Sequence, residues 1–145
     1  MGWQEVSDGI AIRLLGTGDE ALVASAEGLF DDPPLEDQTQ AFLESEREFL
    51  WFAIYGGKPV GFVSAASILH PDKQPHLFVN ELATHAEYRR RGIARRLMET
   101  VAEFARARKL WPVWVAAEGD DEQAIAFYRS LGGMTERGAV VFEWE

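Results

Sequence analysis

The chain has 145 residues, no cysteine and a formal net charge of −10 at pH 7, which excludes a disulfide scaffold, a thiolate metal site and a cysteine nucleophile. Hydrophobic residues make up 47% of it and aromatic residues 12%, so we expect one folded domain over residues 1–145. The start carries no secretion signal and no apolar run is long enough to cross a bilayer, which predicts a cytoplasmic protein with no membrane partner.

The charge is unevenly distributed along the chain. Residues 89–109 contain eight of the fourteen Lys and Arg residues and two acids, whereas the remainder carries six bases and 22 acids. A nucleic-acid binder needs a broad basic face, so this pattern argues against a nucleic-acid partner. It suits a protein that binds a small polyanion at one place and a cation at another, although a solvated acidic surface explains the acids at least as well.

Hydrophobic periodicity and turn residues divide the chain into helices and strands. In chain order they predict a strand at 9–16, helices at 20–30 and about 36–46, strands at 49–55, 60–69 and 76–84, a helix from 91 or 92 to about 109, a strand at 111–117, a helix at 121–131 and a strand at 139–145. Asp19 is expected to cap the first helix. This order predicts an α/β (mixed α+β) architecture, with a mixed sheet of about six strands and helices on both faces.

The strand HLFVNELAT (76–84) carries an acid among apolar residues. Strict alternation places Leu77, Val79, Glu81 and Ala83 on one face. Glu81 is thus a carboxylate where an apolar side chain is expected, and burial there would raise its pKa and suit it to act as a general base. The alternative is a partly exposed acid that pairs with an arginine.

A cluster of arginines lies at the start of the longest predicted helix, in the sequence EYRRRGIARRLM (87–98). The unpaired N–H groups and the dipole of a helix start favour an anion, and the small residues Gly92 and Ala94 allow a phosphate to approach closely. Each arginine can add a charge-assisted hydrogen bond of about 1.5–3 kcal/mol. Clustered cations oppose the helix dipole, so an anion ligand explains them better than solvation does.

The segment ELATHAEYRRRGIARRLM (81–98) resembles the acetyl-CoA-binding segment of the GNAT N-acetyltransferases, in which the pattern R/Q-x-x-G-x-G/A stands between a strand and a long helix. DDEQAIAFYRSLGG (120–133) is similar to the family's A-x-x-F/L-Y-x-x-x-G-F segment. The order of elements also resembles that fold along the chain. Within the family, EGDDEQAIAFYRSLG is most similar to the aminoglycoside 3-N-acetyltransferases, a narrower likeness that rests on the second half of the chain.

The resemblance implies acetyl-CoA as co-substrate, and the residues themselves, without cysteine or metal-ligand spacing, predict no metal. The pyrophosphate is expected on backbone N–H groups at the helix start, the pantetheine arm along the strand edge, and the thioester carbonyl on an N–H near Leu82 or Ala83. The implied contacts are Leu82, Ala83, Thr84, Arg89, Arg90, Arg91, Gly92, Ile93, Ala94 and Arg95, and Arg95 or Arg96 is expected to reach the CoA phosphates.

The resemblance also assigns the catalytic groups. The family resemblance implies that Tyr128 is the general acid that protonates the CoA thiolate. The residue pattern alone would instead favour a core aromatic side chain at this position. Glu81 matches the position of the family's general base. A cationic amine, closest to an aminoglycoside, is the implied substrate. The acids expected to bind it are Glu118, Asp120, Asp121, Asp31 and Asp32, with Glu36 and Asp37 beside the last two. Asp120 and Asp121 could instead serve only as helix caps, and 31–37 could be a solvated turn.

Other chemistries find little support in the sequence. The three histidines lack metal-ligand spacing, and Ser64, Ser67 and Ser130 lack the context of a nucleophile elbow. Without cysteine we expect direct attack of the amine in a ternary complex. Three functions stay open: an aminoglycoside acetyltransferase, a GNAT enzyme for another cationic or protein amine, and a non-catalytic CoA-binding module. The resemblance further suggests a homodimer, for which the apolar segment 139–145 could be the interface, although it could equally be core.

Overall fold

The computed structural model describes residues 3–5, 9–135 and 138–145. Its elements are β1 (Trp3–Glu5), β2 (Ile10–Leu14), α1 (Glu20–Ala24), α2 (Glu36–Glu44), β3 (Glu48–Tyr55), β4 (Lys58–Ile68), β5 (His76–Thr84), a 3₁₀ turn (Ala86–Tyr88), α3 (Ile93–Ala107), β6 (Val113–Val115) and α4 (Glu122–Ser130). The chain forms two compact units, the first ending at Val115 and the second beginning at Ala116. The expectation of one domain over 1–145 stays a prediction. None of the described helices is long and apolar enough to span a membrane.

Six strands form one sheet in sequence order, and every neighbouring pair is antiparallel except β5 and β6. The turn between β3 and β4 consists of Gly56 and Gly57, whose φ angles are 56° and 78°. Positive φ at both central residues of a two-residue hairpin is the conformation that favours glycine. The predicted mixed sheet is confirmed, but its sixth strand is β1 rather than residues 139–145.

Helices cover both faces of the sheet, as predicted. Helix α3 buries Ile93, Leu97 and Val101 in a core cluster with residues of β2 to β5, and these three residues recur at the spacing of one helical face. On the opposite face, Val23 of α1 and Leu43 of α2 join a second cluster with side chains of β3 and β4. The sheet is therefore buried between α3 on one side and the α1–α2 pair on the other.

Two predicted elements differ from the structure. Helix α1 ends at Ala24 rather than at residue 30, and the Ser25 hydroxyl donates to the Leu22 carbonyl at 2.7 Å, a local bond that competes with helix continuation. The backbone of residues 138–145 is irregular, with its large apolar side chains exposed. The strand predicted at 139–145 is therefore wrong, because β-prone residues form a strand only when a partner edge pairs with them.

The predicted side-chain cap of α1 is also wrong. The Asp19 side chain does not bond to the helix. It instead lies 2.8 Å from the Arg13 guanidinium and accepts the Gly16 N–H at 2.8 Å. An ion pair and a turn hydrogen bond thus replace the cap that its sequence position predicts.

Candidate active site

The turn at residues 89–92, here called the arginine turn, leaves the start of α3 without a side-chain cap. Gly92 is the N-cap residue with φ of 76°, and Arg90 also has a positive φ, of 66°. No described side chain caps α3, and its first turn contains no acid. A Cβ added to Gly92 would meet no described atom within 4 Å. The backbone donors and the positive end of the helix dipole are therefore accessible to an anion.

The arginine turn is held against the end of β5. Arg89 Nε donates to the Thr84 carbonyl oxygen at 3.5 Å. The Arg91 guanidinium lies 5.0 Å from the centre of the Tyr88 ring, a cation–π distance. The Tyr88 N–H donates in turn to the His85 carbonyl at 2.8 Å. These contacts fix the arginine turn a few residues beyond the last residue of the strand.

Strand β5 has a partner on both edges only as far as Val79. Its pairing with β6 ends there, whereas its pairing with β4 continues to the end of the strand. The His85 N–H donates to a β4 carbonyl at 2.8 Å. Successive N–H groups of a strand point to opposite edges, so the Ala83 N–H is also directed toward β4. The N–H groups of Leu82 and Thr84 are directed toward the other edge. In the described residues of the first unit, no strand pairs with that edge beyond Val79.

A β-bulge changes which face of β5 each side chain occupies. Adjacent residues of β4 pair with Val79 and Glu81, so Asn80 is the extra residue of the bulge. Val79 belongs to the core cluster under α3, whereas Ala83 packs against the cluster under α1 and α2. The prediction that Val79, Glu81 and Ala83 share one face is therefore wrong. Glu81 faces the α1–α2 side because the bulge reverses the alternation.

Glu81 lines a cavity of about 240 Å³ between the sheet and the α1–α2 side of the fold. We call this cavity the acid pocket. Its polar lining consists of Asp32, Gln38, Thr39, Ser64, Asn80 and Glu81, and the remaining lining residues are apolar. Two carboxylates and no base among the described lining residues make the acid pocket suitable for a cation.

The pKa of Glu81 is raised above its ordinary value. Partial removal of water from the carboxylate is the larger cause, and the negative charge of nearby Asp31 adds to it. The side chain keeps access to solvent. A raised pKa in a solvent-accessible pocket brings the carboxyl group closer to the range in which a general base works.

In the second unit, Asp121 caps α4: its carboxylate accepts the Ala124 N–H at 3.0 Å. The sequence left a helix cap open as the alternative to substrate binding for Asp121, and the structure shows that cap. Tyr128 is half-buried on the same helix, and its pKa is raised first by burial and then by the charge of Asp121. The phenol therefore stays protonated at neutral pH, as a general acid requires. The side chains of Glu118 and Asp120 are exposed.

Asp32 lines the acid pocket together with Glu81, and Asp31 acts on Glu81 through its charge. Glu36 and Asp37 do not line that cavity.

Sequence reasoning missed the polar residues that β4 and α2 contribute to the acid pocket. The one available signal was Ser64, a hydroxyl inside a run of buried apolar residues. Among the described residues, no group of three or more His, Asp or Glu side chains could hold a metal ion.

Comparison with known proteins places the chain in a family. Residues 19–133 match the acetyltransferase (GNAT) family. N-acetyltransferase family 8 member 2 of Rattus norvegicus is 33% identical over 101 residues, which cover 68% of this chain and 43% of that protein. The chain thus spans less than half the length of this curated relative.

Two solved structures share the fold. One is the aminoglycoside acetyltransferase meta-AAC0020 from an uncultured soil metagenomic sample in complex with sisomicin, with a TM-score of 0.84, 20% identity, and coverage of 97% of this chain and 99% of that one. The other is AAC(6′)-Iy in complex with the bisubstrate analogue CoA-S-monomethyl-acetylneamine, with a TM-score of 0.77, 17% identity, and coverage of 94% and 97%. The arginine turn, the interrupted pairing of β5 and the family match agree: the chain belongs to the acetyltransferase (GNAT) family.

Proposed function

We propose that this chain is an acetyl-CoA-dependent N-acetyltransferase whose acceptor is a primary amine of an aminoglycoside, at the 3-N position. The observation that carries the proposal is the proximity of two oppositely charged sites along β5. The acid pocket contains Glu81, and the arginine turn begins a few residues later, after Thr84. A cation site beside a polyanion site suits a reaction between an ammonium substrate and an acetyl donor that carries phosphates.

Acetyl-CoA supplies the acetyl group, and the residues of the arginine turn fit its phosphates. The uncapped N–H groups of Ile93 and Ala94 offer donors, and the surrounding arginines offer charge. The outward backbone groups of Leu82 and Thr84 are suited to hydrogen-bond the pantetheine arm. We assign polarisation of the thioester carbonyl to the Leu82 N–H rather than to that of Ala83, since the latter is directed toward β4.

Glu81 is the proposed base. An ammonium substrate must lose a proton before its nitrogen can attack, and a carboxylate with a raised pKa accepts that proton more readily than an ordinary one. Asp31 and Asp32 contribute the negative charge that attracts the ammonium to the pocket. The bound ammonium in turn favours the ionised form of Glu81, which keeps the base ready.

Tyr128 is the proposed acid. Its raised pKa supports a phenol that holds its proton until the thiolate of CoA departs and then donates it. The chain contains no cysteine to form an acyl-cysteine intermediate, which supports direct attack of the amine on the thioester in a ternary complex.

The acidity of the pocket supports an aminoglycoside, since these compounds carry several ammonium groups. The exposed acids Glu118, Asp120 and Asp121 are further candidates for binding them. A second candidate function is acetylation of another small cationic amine or of a protein amine, since an acidic pocket attracts any ammonium group. A non-catalytic CoA-binding module is the third.

The test is a thiol-release assay with acetyl-CoA against gentamicin, kanamycin, spermidine and a peptide amine. Product mass and NMR then identify the acetylated nitrogen. Rapid release with one added acetyl group at the 3-nitrogen of an aminoglycoside supports the full proposal. Acetylation at another nitrogen contradicts the 3-N assignment alone. A strong preference for spermidine or the peptide supports the second candidate, and CoA binding without any turnover supports the third.

A further inference from the structure

Ser64 is a buried polar residue with no role in the reaction as proposed above. The residue is only 6% exposed, and its hydroxyl oxygen has no hydrogen-bond partner among the described residues. Buried hydroxyl groups are nearly always paired, because an unpaired one is destabilising. The same residue lines the acid pocket. A polar group of a ligand in the pocket is one partner that this hydroxyl can take.

The sheet register places Ser64 opposite Glu81. The two residues pair across β4 and β5 at the bulge, so their side chains leave the sheet on the same face. Both line the same cavity. Cross-strand neighbours of this kind have Cβ atoms about 4.5–5.5 Å apart, and the Ser64 hydroxyl makes no hydrogen bond to the Glu81 carboxylate. An atom bound in the pocket can therefore contact both side chains.

We propose that Ser64 is a positioning residue that accepts one N–H of the substrate's primary amine while Glu81 accepts the other. The inference rests on the proposed function. A neutral primary amine has two N–H groups and one lone pair. When Ser64 and Glu81 each take one N–H, the lone pair is the only group left to point at the thioester carbonyl.

The reaction balances with these roles. The C–N bond forms and the C–S bond breaks. The substrate nitrogen starts as an ammonium and gives up two protons, one before attack and one after it. One proton is balanced by protonation of the CoA sulfur, and the other passes to solvent through Glu81. Ser64 neither gains nor loses a proton, so its effect is on orientation and on the choice between primary and secondary amines.

The test compares kanamycin with its 3-N-methyl derivative, whose neutral 3-nitrogen has a single N–H. The variants are Ser64→Thr, which keeps the hydroxyl, and Ser64→Val, whose side chain has nearly the shape of threonine but carries no hydroxyl. We expect wild type and Ser64→Thr to prefer kanamycin. Ser64→Val should lose about three- to tenfold in kcat/KM for kanamycin, the worth of one hydrogen bond, and change less than about twofold for the methylated compound. Ser67→Ala is the control, because the Ser67 hydroxyl bonds to the Arg47 carbonyl and does not line the pocket.

The outcomes are distinct. A preference lost in Ser64→Val and kept in Ser64→Thr, with the Kd of CoA unchanged in both, supports the positioning role. Equal losses in both variants would show that space rather than the hydroxyl matters, and would overturn the role of Ser64 alone. If wild type binds CoA but acetylates neither kanamycin nor gentamicin, the proposed aminoglycoside function fails and this inference fails with it. If it acetylates only gentamicin, the same comparison is made with gentamicin and its 3-N-methyl derivative.

Discussion

Substitution of Gly92 by alanine separates ligand binding from backbone strain. Its φ of 76° lies in the left-handed region, where an L side chain costs about 1–2 kcal/mol. Alanine recovers about 0.4–1 kcal/mol by restricting the unfolded chain. The expected net loss in free energy of unfolding is about 1 kcal/mol, which lowers Tm by about 4 °C in a chain of this length.

Gly57 in the β3–β4 turn provides a matched control. Its φ is 78°, and a Cβ added there meets no described atom within 4 Å, as at Gly92. Gly57→Ala should therefore lose the same stability as Gly92→Ala. Only Gly92→Ala places a methyl group where we propose that the CoA pyrophosphate contacts α3, so its Kd for CoA should rise about tenfold or more.

Thermal unfolding and isothermal titration calorimetry with CoA measure the two effects independently. A Tm shift of similar size in both variants would confirm the strain argument. If the two variants nevertheless bind CoA equally well, the assignment of the phosphate site to the start of α3 is refuted, however much stability has been lost.

Three further variants, with Asp37→Asn as a control for one of them, test the catalytic assignments. Glu81→Gln should lower kcat about 10²–10⁴-fold, yet raise Tm at neutral pH. A carboxyl group whose pKa is raised in the folded state stabilises the fold below its unfolded pKa, and that contribution is lost as pH rises through the folded pKa. At neutral pH the neutral glutamine therefore avoids the cost of a partly desolvated negative charge. Kinetics, together with melting curves at acidic and neutral pH, check both effects; unchanged kcat would remove Glu81 from the reaction. Asp31→Asn removes a like charge near Glu81, so the acidic limb of the kcat/KM pH profile should move to lower pH, whereas Asp37→Asn, outside the acid pocket, should leave it in place. Tyr128→Phe keeps the ring without the phenol and should lower kcat about 10²–10⁴-fold at an unchanged Kd for CoA; full activity would require another proton donor.

The features that the sequence predicted well depend on short stretches of chain. The apolar stripe of Ile93, Leu97 and Val101 follows one helical face, and α3 begins within two residues of the predicted position. The arginine turn was recognisable because the chemistry of a helix start involves only neighbouring residues. The existence of the sheet and the helices on both its faces followed from the same local patterns.

The features that it missed depend on partners elsewhere in the chain. The bulge at Asn80 is set by the register between β4 and β5, so alternation within β5 alone assigned Glu81 to the wrong face. The acid pocket forms where the α1–α2 side of the fold meets the sheet, so the β4 sequence shows the isolated hydroxyl of Ser64 but not the cavity that it lines. The apolar segment 139–145 has the residue pattern of a strand but an irregular backbone, because no partner edge among the described residues pairs with it.

The bulge at Asn80 also bears on how this protein can be made more heat-resistant. The extra residue interrupts the ladder between β4 and β5 and bends the strand next to Glu81. A continuous ladder would be the more stable arrangement, so selection for thermal stability alone favours loss of this residue. The reaction proposed above requires it, because the same irregularity turns the Glu81 carboxylate into the pocket. In β5 the requirements of a stable sheet and of the proposed base are opposed at a single position.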